Sequence, residues 1–330
     1  MRVENTSKDI EVTDGKNPTQ LDIIKNWCAR NNFEIGEEWM KAGIFWMSNN
    51  SNEELDLWYQ KYINDPTNRH KYSRHSRMEF GKFVDDGAGY IVNNELSKKQ
   101  VLLNIADQIK RYEPSTADES DAIRIKHYLD VVEDYLDNVV NILFPLKQEY
   151  GTMLTQYPIT ITFSGLNVPV IGMLDYVFIT DGEIKKAVEL KTMWANPTKK
   201  KYKKDFKNHK QGERIWQKPS LPNAPMDKHF TQLALYGKAL ELDLDILYAS
   251  ESGAVLHEAQ DFGEIQAEQL KSYLDYFRLK AITKQNLLKL VSDPRDLYMI
   301  IQPDFNNFKW KGIEPEYLKT AKAKWFNQGE

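Results

Sequence analysis

The chain has 330 residues and only one cysteine, Cys28. A single cysteine excludes a disulfide framework, a zinc site built on cysteine pairs and a four-cysteine iron–sulfur cluster, and it makes the cytoplasm the expected compartment. No run of 18 or more apolar residues is present, so we expect no transmembrane helix and no membrane partner. The polar, acidic N-terminus lacks the apolar segment of a signal peptide. No G-x-x-x-x-G-K-[ST] loop occurs, which argues against a helicase fused to this chain.

The chain as a whole has a slight excess of negative charge, but one segment has a strong excess of positive charge. The formal net charge is −4, yet residues 198–218 carry nine Lys or Arg against two acids. That segment is therefore +7, and the rest of the chain is −11. A concentrated basic patch on an acidic protein indicates local contact with a polyanion, although a solvated lysine-rich loop has the same composition.

The first half of the chain has a helical pattern. Residues 1–17 are predicted to form a flexible tail, and apolar residues recur at helical spacing from about 18 to 150. Within this region we predict helices at 76–92, 96–112 and 120–150, in addition to shorter ones between 19 and 63. Pro145 is expected to kink or end the last of these helices.

From about residue 150 the pattern changes to strands. Ile159, Ile161 and Phe163 alternate with hydroxyl residues, as in a half-buried strand, and 167–171 is predicted to return beside it. Further strands are predicted at 172–180 and 184–192, joined by the turn signal Asp181-Gly182. A long connection at 193–225 without regular structure follows. A helix at 227–242, strands at 246–250 and 254–259, and helices at 264–290 and 314–326 complete an α+β pattern.

The second hairpin carries charged residues inside apolar strands. Glu189 and Lys191 flank Leu190, so the two charged side chains share one face. A turn at Asp181-Gly182 pairs positions whose numbers add to about 363, or 364 after a bulge, which places Asp175 opposite residue 188 or 189. Buried charges are costly unless they are paired or bind a metal. Two carboxylates and a lysine suit Mg²⁺-assisted phosphodiester hydrolysis, whereas the alternative is a structural ion pair.

Three motifs in this order resemble the PD-(D/E)xK nuclease superfamily, specifically its RecB-like exonuclease branch. They are Gly172-x-x-Asp175, Glu189-x-Lys191 and Gln232-x-x-x-Tyr236. The resemblance covers about residues 78–240 and implies a restriction-endonuclease-like core, a central mixed sheet flanked by helices. It implies metal binding by Asp175, Glu189 and the Leu190 carbonyl, an action of Lys191 on the water, and contacts of Gln232 and Tyr236 with the DNA backbone or with Lys191.

A further motif of this branch is a helix that reads roughly G-x-x-x-H. Here Gly81 matches, but the histidine position is Asp85. Aspartate is a good Mg²⁺ ligand, so the resemblance implies that Asp85 completes the metal site, with Glu79 and Asp86 as rival ligands.

The basic segment leaves the catalytic strand directly and returns at the Gln232 helix. Its cations are interleaved with aromatic residues, a mixture that favours phosphate contacts and base stacking. The DNA-binding residues predicted on this basis are Lys199, Lys200, Lys201, Lys203, Lys204, Lys207, Lys210, Arg214 and Trp216.

The resemblance implies a Mg²⁺-dependent DNA exonuclease, with Mn²⁺ able to substitute, similar to phage recombination exonucleases and to the mitochondrial genome-maintenance exonuclease. The expected role is in phage or bacterial DNA recombination, repair or degradation. The expected organisation is a tail at 1–17, a helical region at 18–150 that contributes one active-site helix, a nuclease core at 151–262 with a basic loop at 193–225, and C-terminal helices at 263–330. Single- or double-stranded DNA is the expected partner, with a homo-oligomer or a single-strand annealing protein as further partners. The alternatives are a site-specific endonuclease of the same superfamily and an inactive DNA-binding protein.

Overall fold

A computed structural model describes residues 76–112, 121–166, 169–201 and 214–288, together with a few isolated positions. Within the continuous ranges described, three helices precede the sheet: α1 at Ser76–Val92, α2 at Lys98–Ile109 and α3 at Asp121–Tyr150. Helix α2 begins at a capping box, in which the Ser97 hydroxyl accepts from the backbone N–H of Gln100 and the Gln100 side chain accepts from the backbone N–H of Ser97.

A five-stranded mixed sheet forms the centre. Its strands are β1 at Thr152–Ile161, β2 at Val170–Thr180, β3 at Glu183–Thr192, β6 at Asp245–Ser250 and β7 at Gly253–His257. The spatial order is β1-β2-β3-β6-β7, and only the β3–β6 pair is parallel. Between β3 and β6 the chain forms a two-stranded ribbon, β4 at Asn196–Lys201 and β5 at Arg214–Gln217, and then helix α4 at Phe230–Leu240. Helix α5 follows at Lys271–Leu288.

Helices cover the sheet, and the buried apolar side chains form two clusters. The first joins α1 and α3 to the sheet, with Phe80 and Tyr135 packed near Tyr176. The second joins α4 and α5 to it, with Leu233 and Phe277 among its members. The fold is therefore α+β, a mixed sheet flanked by helices, as the pattern predicts. Helices α1 and α4, which carry candidate site residues, belong to different clusters.

The predicted bounds of α1 are confirmed, but Pro145 does not end α3. The helix continues to Tyr150, five residues beyond this proline. Pro145 is exposed, while the neighbouring Leu143 and Leu146 are buried. Pro145 has no N–H to donate to the carbonyl of Asn141, four residues earlier, and this carbonyl lies on the solvent side of the helix. The buried apolar side chains on the other side keep the helix in place.

Three predictions about strands are wrong. Residues 170–180 form one strand rather than two, because Gly172 lies within β2. Strand β1 already begins at Thr152, and it contains Pro158 because it is an edge strand. The connection at 193–225 is not free of regular structure, since it contains the β4–β5 ribbon.

The predicted tail at 1–17 lies outside the described residues. So do the predicted helices between 19 and 63, apart from the single helical position Ala29, and most of the helix predicted at 314–326. In the part of the chain that the structure describes, no helix is both long and apolar enough to cross a membrane.

Candidate active site

The β2–β3 hairpin has the register that the sequence predicts. Tyr176 pairs with Val188, and a shift between Phe178 and Ile179 leads into the turn. Asp181 and Gly182 both have positive φ, 54° and 78°, as a tight hairpin turn requires. The same register continued by one residue sets Asp175 opposite Glu189.

Asp175 is held by the backbone of the neighbouring strand. The Leu190 N–H donates to its Oδ2 at 2.7 Å, and the Gln156 side-chain amide donates to its Oδ1 at 3.4 Å. Leu190, whose carbonyl the resemblance implies as a ligand, also lines the cleft that contains Asp175.

Glu189 and Lys191 belong to one hydrogen-bonded chain that runs into α4. The Lys191 ammonium donates to Glu189 Oε1 at 2.7 Å and to Gln232 Oε1 at 2.7 Å. The Gln232 amide nitrogen donates back to Glu189 Oε1 and to the Tyr236 hydroxyl at 3.2 Å. The Tyr236 hydroxyl in turn donates to the carbonyl of Met173 at 3.0 Å. One turn of α4 thus connects the Lys191 ammonium to the backbone of β2.

Helix α1 brings Asp85 to the same place. Its carboxyl group is buried, and Oδ2 accepts from the Gln156 amide. The Tyr176 hydroxyl donates to the backbone carbonyl of Asp85 at 3.1 Å, which fixes α1 against β2. Of the three acids on this helix, Asp85 lines the cleft, whereas Glu79 and Asp86 are not among its lining residues.

Burial and mutual repulsion keep the three carboxyl groups from ionising readily. Burial, and secondly the Asp175 carboxylate, raise the pKa of Asp85 well above its usual range. Burial likewise raises the pKa of Asp175, and burial together with Asp175 raises the pKa of Glu189 to about 8. Burial opposes the charge on Lys191, but Glu189 and Asp175 outweigh it and its pKa is raised. A divalent cation would relieve the repulsion among the acids.

Two of the three acids, Asp85 and Asp175, line a cleft of about 820 Å³, whereas Glu189 is not among its lining residues. The cleft is also lined by three lysines. They are Lys191 on β3, Lys82 on α1 and Lys228 in the turn before α4. The half-buried His229 also lines it, and burial lowers the pKa of His229 to about 4, so its ring is neutral at pH 7.

The donor set fits a hard cation in its chemistry, although it does not form a finished metal site. Within the described residues, no group of three or more His, Cys, Asp or Glu side chains is arranged to hold a metal ion. Asp85 Oδ1 and Glu189 Oε2 are nevertheless buried and have no hydrogen-bond partner in that part of the chain. Two unpartnered carboxylate oxygens beside Asp175 are oxygen ligands of the kind that Mg²⁺ takes.

Two motif glycines make room for this arrangement. A Cβ on Gly81 would lie 2.9 Å from Thr192 Oγ1, so glycine lets α1 approach the end of β3. A Cβ on Gly172 would lie 3.0 Å from the Tyr236 hydroxyl oxygen and closer still to a ring carbon. Glycine in a strand often marks such an approach rather than a strand end.

Gly172→Ala is therefore expected to displace Tyr236 and with it Gln232. Overpacking of a close contact costs about 1–3 kcal/mol, so we expect a lower urea midpoint for this variant. Gly263→Ala is the control, because a Cβ there would meet nothing within 4 Å. Equal urea midpoints of the two variants would contradict the contact with Tyr236.

The structure places part of the predicted DNA-binding segment on the ribbon. Lys199, Lys200 and Lys201 lie in β4 and Arg214 in β5, while Lys203, Lys204, Lys207 and Lys210 lie outside the described residues. Trp216 stacks on the His127 ring of α3, with centroids 3.9 Å apart. One face of its indole is thus covered, so base stacking by Trp216 stays a prediction that depends on the other face.

Contacts on both sides of the ribbon anchor it. The hydroxyls of Tyr128 and Tyr135 on α3 donate to the carbonyls of Ala195 and Met193 at 2.9 and 2.6 Å. Beyond β5, Lys218 forms an ion pair with the buried carboxylate of Glu251. These contacts fix where the basic segment leaves and re-enters the site.

Sequence reasoning missed Gln156, which contacts both Asp85 and Asp175. Residues 152–158 show no strict alternation of apolar and polar side chains, so the pattern predicts no strand there and assigns no face to a glutamine.

Comparison of the chain with family models, with curated proteins and with solved structures finds no match.

Proposed function

We propose that this chain is a Mg²⁺-dependent deoxyribonuclease with a restriction-endonuclease-like core, and that it acts as an exonuclease of the RecB-like type. The observation that carries the proposal is one connected site. Asp175, Glu189 and Lys191 on a hairpin meet Gln232 and Tyr236 on α4, and Asp85 on α1 approaches them through Gln156.

Asp85, Asp175 and Glu189 would hold the cation through their carboxylate oxygens. When bound, Mg²⁺ neutralises phosphate charge and makes a coordinated water more acidic. Hydrolysis would add water across one P–O bond of the DNA backbone, which leaves a phosphate monoester on one side and a hydroxyl on the other. The chain's own residues supply the position and the charge around that reaction.

Lys191 is suited to a charged role. Glu189 and Asp175 raise its pKa, so its ammonium stays protonated at neutral pH. A protonated amine cannot accept the proton of the attacking water, but it can orient that water and stabilise negative charge on the phosphate. Gln232 holds the Lys191 ammonium through its carbonyl oxygen, and Tyr236 holds Gln232, so both act as positioning residues.

The cleft is large enough to admit part of a DNA strand. A volume of about 820 Å³ lies within the range of small-ligand sites, roughly 300–1,000 Å³, so it suits one or two nucleotides. Lys82 and Lys228 lie at this cleft and offer cations for the flanking phosphates.

End-labelled linear DNA and covalently closed circular DNA test this function when each is incubated with Mg²⁺ and with chelator. We expect Mg²⁺-dependent release of label from the linear DNA, with the circle left intact. Nicking of the circle would support the site-specific endonuclease instead. Binding without cleavage of either substrate would support an inactive DNA-binding protein.

The basic segment is expected to hold DNA rather than perform the chemistry. Replacing Lys199, Lys200, Lys201, Lys203 and Lys204 with Gln should reduce the salt slope of DNA binding by roughly 0.7–0.9 for each phosphate that is no longer bound. Turnover at saturating DNA should change little, because the carboxylates are untouched. The measurement is a fluorescence titration of labelled DNA across a salt series. The control is the double variant Lys99→Gln/Lys126→Gln, which removes two exposed lysines on α2 and α3. An unchanged slope in the five-lysine variant would show that the segment does not contact phosphates.

A further inference from the structure

Gln156 has an unusual backbone for a residue within a strand. Its φ is 50°, in the left-handed region, although β1 continues on both sides. The register does not change across it, since Thr155 pairs with Tyr176 and Tyr157 with Leu174. A non-glycine residue in this region is strained unless its surroundings compensate, and such residues cluster at functional sites.

The side chain of Gln156 accounts for this conformation. Its amide nitrogen donates to Asp85 Oδ2 and, at 3.4 Å, to Asp175 Oδ1. These carboxyl groups come from α1 and β2, and the Asp175 carboxylate raises the pKa of Asp85. The N–H groups of a single amide thus bridge two buried acids that would otherwise repel each other.

A divalent cation would need the same two carboxyl groups. The remaining oxygen of Asp85 and one oxygen of Glu189 already lack a partner among the described residues, whereas Asp85 Oδ2 and Asp175 Oδ1 are engaged by the Gln156 amide.

We propose that Gln156 is a positioning residue that holds Asp85 and Asp175 together before metal binding and releases them when a divalent cation binds. The inference rests on the proposed function, because it requires the three acids to be metal ligands. The amide and the cation therefore compete for the two carboxyl groups. The free energy by which the amide stabilises the metal-free protein is subtracted from the free energy of Mg²⁺ binding.

Two variants of the full chain separate the effect of the Gln156 amide from the effect of its backbone conformation. Gln156→Ala removes the amide, and Gln156→Gly removes it while accepting the left-handed backbone without strain. Glu241→Ala is the matched control, because Glu241 also has a positive φ, 55°, but lies at the end of α4. The measurements are the thermal midpoint in chelator and in saturating Mg²⁺, and calorimetric titration with MgCl₂ in the absence of DNA.

We expect Gln156→Ala to lower the midpoint in chelator by about 2–6 °C and to lower it much less in saturating Mg²⁺. Both Gln156 variants should bind Mg²⁺ about tenfold more tightly than the wild type. The reason is that each variant loses about 1.4 kcal/mol of stability in the metal-free state alone, and 1.4 kcal/mol corresponds to a tenfold change in affinity. Glu241→Ala should leave the Mg²⁺ affinity unchanged.

Three other outcomes would overturn the inference, and they differ from one another. Equal destabilisation with and without Mg²⁺, at unchanged affinity, would make Gln156 a purely structural residue and leave the nuclease proposal intact. Weaker Mg²⁺ binding in both variants would make Gln156 itself a ligand. No binding of Mg²⁺ or Mn²⁺ by the wild type would remove the metal-dependent function itself.

Discussion

Glu189→Gln is expected to lower the rate of DNA cleavage by about 10³-fold or more, because a metal ion contributes several kcal/mol of transition-state stabilisation. The substitution is nearly isosteric and keeps an oxygen that can accept from the Lys191 ammonium, which donates to Glu189 at 2.7 Å. The fold should therefore persist, and Mg²⁺ binding by calorimetry should weaken. Cleavage near the wild-type rate would exclude Glu189 as a metal ligand.

Lys191→Met separates chemistry from metal binding in the same network. Loss of a group that orients the water or stabilises charge should reduce turnover by about 10²–10⁴-fold, while the carboxylates still bind Mg²⁺. Lys186→Met is the matched control, because Lys186 also lies on β3 and forms ion pairs with Asp245 and Glu258, away from the cleft. We expect both variants to lose stability and only Lys191→Met to lose DNA cleavage by the folded protein.

The second large effect is a dependence of stability on pH in the absence of metal. With chelator present, we expect the free energy of unfolding to fall by an amount on the order of a few kcal/mol as the pH rises towards 8. The Glu189 carboxyl has a pKa of about 8 in the folded chain against 4.5 in the unfolded one. Between these values the folded protein retains a proton that the unfolded chain has released, so raising the pH favours unfolding.

Burial raises the pKa values of Asp85 and Asp175 as well, so their effect has the same sign. The pKa values of His127 and His229 are lowered by burial and act in the opposite direction below their unfolded value of 6.5. Urea unfolding should therefore be compared between pH 6.5 and 8, in chelator and at constant ionic strength. Glu189→Gln should flatten the curve in this window. An identical slope in the variant and the wild type would contradict the raised pKa of Glu189.

Much of the hairpin could be predicted because its physical signal is local. Charged residues inside an apolar strand, a turn of two residues and the period of a strand are enough to set Asp175 opposite residue 188 or 189. The register shift between Phe178 and Ile179 selects Glu189. The spacing of Gln232 and Tyr236 likewise fixes a shared face of α4. What the sequence leaves undefined is how α4 packs, so the contact of Lys191 with Gln232, 41 residues apart, needs the structure.

Gln156 and Gly172 show where sequence reasoning fails. Gln156 acts through a backbone conformation that no local pattern announces and through a partner on α1 that is 71 residues away. At Gly172 the pattern predicts a boundary between two strands, because glycine usually weakens a strand. The actual reason for this glycine is the Tyr236 ring, which packs where a Cβ would lie and belongs to α4.

The most direct test of the nuclease proposal is a single time course of label release from end-labelled linear DNA. Wild-type protein with Mg²⁺, the same protein with chelator, and the Glu189→Gln variant with Mg²⁺ are followed side by side at equal concentration. The site predicts release only in the first of the three reactions. Absence of release by the wild type under Mg²⁺ and Mn²⁺, or equal release by Glu189→Gln, would contradict the assignment of Asp85, Asp175, Glu189 and Lys191 as the catalytic centre of a metal-dependent nuclease.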